Sequence, residues 1–467
     1  VTDPRPDIVL VVADDHAAHA ISAYGSQLMP TPQLDRIAAE GIRFDACYCT
    51  NSLCAPSRAT ILTGTYSHVN RVRTLSTHFD ARQPTFVSLL HDAGYQTAIV
   101  GKWHLGHGGV HDPHGFDHWD VLEDQGDYWD PELLSATGRR TVPGYTTTVL
   151  TDLAIERLTG RDPARPLCLL LHHKAPHRSW DPDPAYAGWF AGDLPEPATL
   201  LDDYTGRSQA ARQATMRVGR DLTERDLKQP YPEGLAEPDR TRWAYQRYLK
   251  DYLRCVASID DNLGRLLAAL DATGRAAGTV LVYTSDQGFF LGDHGWYDKR
   301  FMYQESLRMP LLVRYPREVP AGTTTGALAC NVDFAQTFLD LAGLPPHPRM
   351  QGRSLRPLLR GQRPDEWPTT MYYRYWEHDE GSHHVPAHYG VRTERHKLVF
   401  YYGDGLGVPG AADRRTPPEW ELFDLATDPA ELRSVYHDPA YAAVRDQLTA
   451  ELDRLQRDLG DRPWPDR

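Results

Sequence analysis

The chain has 467 residues, of which 41% are hydrophobic and 24% are charged. This length exceeds the usual size of a single compact core, so we expect one large domain with a smaller second unit. Acidic residues outnumber basic ones by 63 to 50 and the pI is about 5.9, which argues against a broad nucleic-acid-binding surface. An anionic ligand would therefore need a local cluster of positive charge.

The cysteine content and the apolar runs indicate in which compartment we expect the protein and whether it contacts a membrane. Six cysteines in so long a chain do not form a disulfide scaffold, and Cys47 and Cys49 lack the second pair that a zinc site needs. The apolar runs at 8–13 and 167–171 are too short to span a bilayer, and no signal peptide precedes the first of them. We expect a cytoplasmic protein without a membrane partner, or a secreted or periplasmic one if a signal peptide has been removed.

The first predicted element is a strand at Asp7–Ala13, whose continuous apolar run is typical of a parallel strand buried on both faces. Two carboxylates, Asp14 and Asp15, follow it directly. Open α/β sheets build their sites at the carboxyl ends of such strands, and hard oxygen ligands suit Ca²⁺ or Mg²⁺. An Asp-Asp pair is usually a solvated loop. The position directly after a buried strand adds weight to a cation site, and at this point both interpretations stay open.

A cysteine at position 54 precedes Pro56, Ser57 and Arg58. This order indicates a thiol at a helix N-terminus, where free N–H groups and the helix dipole favour an anion. Arg58 lies four residues after Cys54, so one helical turn returns its guanidinium towards the same end. A buried structural thiol is the alternative, since that is the commonest state of a free cysteine. On spacing alone, both interpretations stay open.

Helices and strands alternate along the rest of the chain up to about residue 360. A short helix with a glycine stop at Gly41 is predicted within 31–44. Further helices are predicted at 86–93, 145–158, 242–270 and 331–342, and strands at 96–100, 166–172, 279–284 and 309–313. The polar stretch 193–240 is predicted to be an insertion over the site. The fold class is α/β, with a large mixed, mostly parallel central sheet flanked by helices.

After residue 360 the sequence becomes rich in aromatic, strand-like pieces. These lie at 371–376, 388–393 and 397–402, and a helix is predicted at 442–459. They favour a small antiparallel sheet with one helix. We therefore divide the chain into an α/β domain, 1–360, and a C-terminal α+β subdomain, 361–467.

Several polar side chains follow predicted strands. They are Lys102 and His104 after 96–100, His177 after 166–172, and Asp286 and Gln287 after 279–284. Taken singly, a lysine here is usually a surface charge and a histidine a loop residue. Four further histidines, at 107, 111, 114 and 118, are too irregularly spaced to predict a transition-metal cluster.

The segment CAPSRATILTG at 54–64 resembles the signature of the type I sulfatases, formylglycine-dependent enzymes of the alkaline-phosphatase-like superfamily. The segments GKWHLG at 101–106, APH at 175–177, SDQG at 285–288 and ELFDL at 421–425 resemble further parts of that family. The resemblance thus spans nearly the whole chain. It implies an alkaline-phosphatase-like fold with a catalytic main domain, and conversion of Cys54 to formylglycine by a maturation enzyme. The hydrated aldehyde has a second hydroxyl, which can expel sulfate and restore the aldehyde.

The resemblance also implies roles for individual residues. The metal site would comprise Asp14, Asp15, Cys54 as formylglycine, Asp286 and Gln287, with Ca²⁺ expected before Mg²⁺. The catalytic set would comprise Cys54, Arg58, Lys102, His104, His177 and Lys299. Gln287 stands where asparagine or histidine is commoner in the family, which affects the metal geometry more than the existence of the site. His177 would protonate the leaving oxygen.

The function implied is hydrolysis of a sulfate ester on a sulfated carbohydrate. The segment 173–180 and the residues 373–376 resemble the glycosaminoglycan and N-acetylglucosamine-6-sulfatase branch more than the aryl-sulfate branch. The expected partners are a small-molecule or oligosaccharide sulfate ester and a formylglycine-generating enzyme, without nucleic acid or membrane. His172, His173, Lys174, His294 and Arg300 receive no role.

Two alternatives stay open. The first is an arylsulfatase, or a phosphonate or phosphate-diester hydrolase, that uses the same nucleophile. The second is a non-catalytic metal-binding protein in which Cys54 stays a thiol.

Overall fold

The computed structural model describes residues 5–465; residues 1–4 and 466–467, at the outer ends of the two predicted domains, lie outside the described residues. The strands in this range are β1 (Asp7–Ala13), β2 (Ile42–Phe44), β3 (Cys47–Tyr48), β4 (Gln96–Lys102), β5 (His118–Leu122), β6 (Glu132–Ser135), β7 (Gly138–Thr141), β8 (Leu167–His172), β9 (Thr279–Ser285), β10 (Phe290–Leu291), β11 (Tyr297–Asp298), β12 (Leu311–Arg314), β13 (Thr323–Thr325), β14 (Ala329–Cys330), β15 (Thr370–Tyr375), β16 (His388–Thr393), β17 (His396–Tyr401) and β18 (Glu419–Asp424). The α-helices are α1 (Pro32–Ala39), α2 (Cys54–Thr63), α3 (Ser67–Asn70), α4 (Phe86–Asp92), α5 (Thr146–Thr159), α6 (Gln209–Gln213), α7 (Glu224–Leu227), α8 (Asp239–Ala272), α9 (Gln304–Leu307), α10 (Phe334–Leu341), α11 (Arg356–Leu359) and α12 (Ala442–Leu459).

One large mixed sheet dominates the fold. Its ten strands lie in the order β13-β2-β12-β9-β1-β8-β4-β5-β6-β7. The five central strands, from β9 to β5, are parallel, and antiparallel strands extend the sheet on both sides. A separate antiparallel sheet of four strands, β15 to β18, follows near the C-terminus. The predicted fold class is confirmed.

Strand β1 is buried on both faces because helices cover both sides of the sheet. Ile8, Leu10 and Val12 belong to a hydrophobic cluster that includes residues of α2, α4 and α10. The residues between them belong to a second cluster that includes α1, α5 and α8. A strand in this position needs apolar residues at every position, as its sequence predicts.

The short helix predicted within 31–44, with a stop at Gly41, is observed as α1, but the strand that follows it was not predicted. Helix α1 ends at Ala39, and residues 42–44 form β2, which pairs with β12 and β13. Gly41 permits this pairing, because a Cβ there would lie 2.1 Å from the carbonyl oxygen of Val313. The apolar residues at 42 and 44 suit a helix or a strand, and the neighbouring strand β12 decides between them.

Strands β5, β6 and β7 form one side of the main sheet, in a region where no element was predicted. They are short, and β7 is exposed along its whole length. Such strands lack the apolar periodicity on which the prediction depends. The loop between β5 and β6 nevertheless reaches the functional site.

The small C-terminal sheet packs on the main domain together with α12. Met371, Tyr373 and Leu398 belong to the same hydrophobic cluster as Ile8. The predicted boundary at residue 360 falls between α11 and β15, and the division into two domains stays a prediction.

All six cysteines are buried and free. Within residues 5–465, none of the helices combines the length and the apolar character needed to cross a bilayer.

Candidate active site

The carboxyl ends of the parallel strands surround a cavity of about 760 Å³. Cys54, His177 and Lys299 line it, together with residues of the loop after β5. The other side chains singled out in the sequence lie behind these three, between the cavity and the ends of β1, β4 and β9. The sheet topology thus gathers residues that are far apart in the chain.

Three buried carboxylates form the centre of the site. Oxygen atoms of Asp14, Asp15 and Asp286 lie within 4.8 Å of one another. Two lysines accompany them: Lys102 donates a hydrogen bond to Asp14, and the Nζ of Lys299 lies 2.5 Å from Oδ1 of Asp15. With the guanidinium of Arg58, whose Nη2 lies 3.0 Å from Oδ2 of Asp286, three cations face the three carboxylates.

The carboxylate cluster fits a divalent cation. Oδ1 of Asp14, Oδ2 of Asp15 and Oε1 of Gln287 are buried acceptors without a hydrogen-bond donor among the described residues. The Gln287 amide nitrogen donates to Asp15, which directs its own oxygen elsewhere. Buried polar atoms are rarely left unpaired, and an unpaired set of hard oxygens suits Ca²⁺ or Mg²⁺.

The pKa values of the cluster reflect the same crowding. Burial, aided by the neighbouring carboxylates, raises the pKa of Asp15 to about 7 against the opposing charge of Lys299. Burial likewise raises the pKa of Asp286 to about 6. Burial opposes ionisation of Asp14 too, but Lys102 and other nearby cations outweigh it, so its pKa lies well below the usual value.

Cys54 is the first residue of α2, and its thiol faces the cluster. Its Sγ lies 3.3 Å from the Nζ of Lys299 and within 4.8 Å of a carboxylate oxygen of Asp14 and a ring nitrogen of His177. Burial raises the pKa of the thiol, and the charge of Lys299 only partly offsets this effect. The unmodified side chain is therefore a neutral thiol at physiological pH, which is a weak nucleophile.

Arg58 lies one turn along α2 and contacts the carboxylate cluster on the side away from the cavity. Its Nε donates to Oδ2 of Asp286 at 3.0 Å, and its Nη1 donates to the carbonyl oxygen of Lys102 at 3.1 Å. His172, which had no role from the sequence, has its Nδ1 3.3 Å from the Nη1 of Arg58. Arg58 is fully buried, so it acts on the site through Asp286 and its charge.

The two predicted site histidines differ in position. The Nδ1 of His177 donates to the carbonyl oxygen of Arg178 at 2.5 Å, and its Nε2 lies 3.7 Å from Oδ2 of Asp15. Burial lowers the pKa of His177 well below its usual value, so the ring is neutral. His104 does not line the cavity: its Nε2 lies 3.2 Å from the side-chain nitrogen of Gln125.

Several residues of the site received no role from the sequence. Gln125 accepts a hydrogen bond from Lys102, although it lies in a loop without any motif. Arg300 lines the cavity beside Lys299 and pairs with Glu377 at 3.2 Å. His383 lies 3.2 Å from Asp298. The C-terminal subdomain thus supplies part of the cavity wall.

His294 lies outside the cavity. Its Nδ1 accepts a hydrogen bond from the Nη1 of Arg207 at 2.9 Å. It therefore belongs to the packing of the 193–240 segment.

The fold and the site together define a hydrolase of anionic esters. A sulfatase family model matches residues 6–344, and a model described as N-sulphoglucosamine sulphohydrolase, C-terminal, matches residues 292–458. The chain belongs to the sulfatase family and is a sulfuric ester hydrolase. The predicted family and enzyme class are confirmed, and the non-catalytic alternative is not supported.

Similar proteins extend over the whole chain. An N-acetylglucosamine-6-O-sulfatase of Bacteroides thetaiotaomicron is 42% identical, covering 98% of this chain and 87% of that protein. The human N-acetylglucosamine-6-sulfatase is 30% identical, covering 79% of this chain and 67% of that protein. A solved structure in complex with its substrate D-glucosamine-2-N,6-O-disulfate is 42% identical, with a TM-score of 0.91 and 98% of both chains covered. A phosphonate monoester hydrolase of Agrobacterium radiobacter, at 22% identity, a TM-score of 0.76 and coverage of 97% and 96%, shares the fold.

Proposed function

We propose that the protein hydrolyses a sulfate ester of a glucosamine-containing carbohydrate, with formylglycine made from Cys54 as the nucleophile. The main observation is the position of Cys54 at the start of α2, beside the carboxylate cluster and 3.3 Å from Lys299. The proposal includes a formylglycine-generating enzyme that acts on Cys54, and no nucleic-acid or membrane partner. A cytoplasmic location stays a prediction, which fractionation of the producing cells would check.

Two comparisons support the choice of substrate. A similar protein is named an N-acetylglucosamine-6-O-sulfatase, and a similar structure was solved with a 6-O-sulfated glucosamine as its substrate. Both are 42% identical to this chain over almost its full length. We therefore propose the 6-sulfate of a glucosamine residue as the ester that is cleaved.

The state of the Cys54 thiol supports the modification. Burial keeps the thiol protonated, so an unmodified Cys54 would attack a sulfate ester poorly. The hydrated aldehyde of formylglycine supplies an oxygen nucleophile and a second hydroxyl for release of sulfate.

Asp14, Asp15, Asp286 and Gln287 would hold the cation, for which we propose Ca²⁺. Their free oxygen atoms are the ligands that this ion prefers. The bound cation supplies positive charge for the nucleophile and for a sulfate oxygen. Lys102 and Arg58 keep Asp14 and Asp286 ionised for this purpose.

Lys299 and His177 act on the substrate directly. The ammonium group of Lys299 lies between Cys54 and Asp15 on the cavity wall, where it binds an oxygen of the transferring sulfate. The bond from Nδ1 of His177 to a carbonyl fixes the ring and leaves Nε2 to carry a proton to the leaving oxygen. Burial disfavours the protonated form of His177, and the negative charge of the bound ester favours it. His104 positions the side chain of Gln125, whose amide oxygen accepts a hydrogen bond from Lys102.

The Cys54 peptide tests the proposal. Protein produced with a formylglycine-generating enzyme should contain an aldehyde at position 54, detected by mass spectrometry and by hydrazide labelling. Cys54→Ala should lose sulfate release from glucosamine 6-sulfate by at least a thousandfold, because no nucleophile remains. Cys168→Ala removes another buried thiol, on β8, and should keep activity. Sulfate release by Cys54→Ala, or faster cleavage of a matched phosphonate ester, would overturn the proposal.

A further inference from the structure

One side of the cavity is built from aromatic side chains that the chemistry of the sulfate group does not use. We call the three aromatic residues Tyr128, Trp129 and Tyr145, together with Lys174 beside them, the aromatic wall. Tyr128, Trp129 and Lys174 line the cavity, and Tyr145 supports them from behind. The lining of the cavity includes both the exposed Trp129 and the buried Cys54.

Trp129 presents its indole to the cavity in a fixed orientation. It is 39% exposed, which is unusual for so large an apolar side chain. Its ring packs edge-on against Tyr145 at 5.1 Å, and the backbones of the two residues are bridged. Tyr128 and Tyr145 stack with their ring centroids 6.0 Å apart. The exposed face of the indole is a preformed surface for a flat or ring-shaped ligand.

Lys174 places a positive charge on the same wall. Its side chain is buried, its Nζ donates to the carbonyl oxygen of Gln125 at 3.2 Å, and it lies 4.9 Å from the centre of the Tyr128 ring. Among residues 5–465, no carboxylate lies within 4.0 Å of this ammonium group. Burial, with the nearby charge of Lys102, lowers the pKa of Lys174 to about 8, although the charges of Asp14 and Asp127 oppose this effect. A buried ammonium group that has no carboxylate in direct contact is costly, and an anionic ligand would reduce that cost.

We propose that the aromatic wall is a subsite for a second sugar ring that carries an acidic group, with Trp129 stacking on the ring and Lys174 pairing with its carboxylate or sulfate. This inference rests on the proposed function and narrows the substrate class to acidic oligosaccharides. A single sulfated sugar would fill the inner part of the cavity and leave the wall uncovered.

The first test compares two substrates. One is glucosamine 6-sulfate, and the other is a disaccharide of that sugar with a uronic acid. Two such disaccharides are tested, one for each side of the glucosamine, and the one with the higher kcat/KM is used. The native enzyme should have a kcat/KM roughly tenfold higher for the disaccharide, the size expected for burying one aromatic contact. Trp129→Ala should bring the ratio of the two values close to one. Trp189→Ala removes an equally exposed tryptophan outside the cavity and should leave the ratio as it is.

The second test isolates the charge. The carboxyl-reduced disaccharide keeps the second ring without its anion, and a second sulfate in place of the carboxylate distinguishes the two kinds of anion. Lys174→Met keeps the side-chain volume and should abolish the preference for either acidic disaccharide over the reduced one, mainly through KM. Equal kcat/KM values of the native enzyme for all substrates, or an unchanged preference in both variants, would overturn the subsite while sulfate release itself continued. Failure of the native enzyme on every substrate would instead contradict the proposed function.

Discussion

Burial decides the ionisation of the side chains around Cys54. The thiol keeps its proton, and the pKa values of Asp15 and Asp286 move towards neutrality because three carboxylates share a space from which water is excluded. Lys102, Lys299 and Arg58 offset this charge. One oxygen of Asp14 and one of Asp15 still lack a hydrogen-bond donor among residues 5–465, so a bound cation or a proton would pair with them.

We expect Ca²⁺ binding to release about one proton at pH 6.5, because Asp15 with a pKa of about 7 must lose its proton to bind the ion. Calorimetry in buffers of different ionisation enthalpy measures this number. Affinity should fall as the pH decreases below 7, since protons then compete with the cation.

Asp15→Asn should remove most of the proton release and weaken binding, because Asp286, with a pKa of about 6, supplies only the smaller share. Asp260→Asn is the matched control, since burial also raises the pKa of that carboxyl to about 6, but Asp260 binds backbone N–H groups of α1. Unchanged proton release in Asp15→Asn would contradict this assignment.

Lys174 should lower the stability of the protein at neutral pH. Its pKa is about 8 in the folded state and about 10.5 when unfolded, so the unfolded chain binds more protons between these values. The free energy of unfolding should therefore rise with pH across that window. Lys174→Met should be more stable than the native protein at pH 7, by up to about 3 kcal/mol.

Denaturant unfolding at pH 7 and near pH 10.5 measures the difference, which should disappear at the higher pH. Lys250→Met, at a partly buried lysine of α8 whose Nζ lies 3.8 Å from a carboxylate oxygen of Asp193, should show no such gain. A destabilised Lys174→Met variant at pH 7 would show that the ammonium group is already compensated in the free protein.

At the scale of elements, short loops at the ends of parallel strands position the site. The strand β9 ends in Ser285, and the next residues turn so that Asp286 and Gln287 face the cluster. Gly288 makes this turn possible, because a Cβ at this position would lie 2.0 Å from the carbonyl oxygen of Glu305. The loop therefore fits tightly against α9.

Gly288→Ala should displace the loop and weaken both Ca²⁺ binding and stability. We expect a loss of about 2 kcal/mol or more in the free energy of unfolding, since backbone atoms rather than flexible side chains block the Cβ. Thermal unfolding with and without Ca²⁺ measures both effects. Gly326→Ala meets nothing within 4 Å and should behave like the native protein. Unchanged Ca²⁺ affinity in Gly288→Ala would show that the loop adapts.

At the scale of the whole molecule, the C-terminal sheet and the main sheet share one hydrophobic cluster and one cavity. Glu377 and His383 reach Arg300 and Asp298 from the C-terminal side. Glu421, on β18, accepts a hydrogen bond from Tyr303 of the main domain at 3.1 Å. The two predicted domains therefore depend on each other.

Buried histidines should make the whole protein sensitive to mild acid. Burial lowers the pKa of His16 and His388 to about 3 and that of His173 to about 4. Their contribution to stability is complete above pH 6.5 and is lost as the pH falls towards these values. Each histidine should cost about 1.4 kcal/mol per pH unit below 6.5.

Thermal unfolding between pH 7.5 and pH 4.5 tests this expectation. His388→Phe should flatten the acid dependence, because an aromatic ring without a titrating group would occupy the space beside Tyr373 and Tyr401. His437→Phe, at an exposed position, should leave it unchanged. An acid profile of His388→Phe identical to that of the native protein would exclude this residue as a cause.

The sequence by itself determined the fold class, the family and the enzyme class. Continuous apolar runs predict buried parallel strands, and the segments at 54–64, 101–106 and 285–288 are local patterns that folding does not alter. These features depend on neighbours within a few residues, which a linear sequence records directly. The roles of the site residues remain predictions.

The tertiary structure alone decided the contacts between distant parts of the chain. Lys299 contacts Cys54, although the two residues are 245 positions apart in the sequence. Gln125 accepts a hydrogen bond from Lys102, although Gln125 lies in a loop without a motif. Residues 42–44 became a strand because β12 lies beside them. The aromatic wall exists because the loop after β5 and the end of β8 meet in the folded protein. Such contacts follow from sheet order and packing, which local periodicity does not encode.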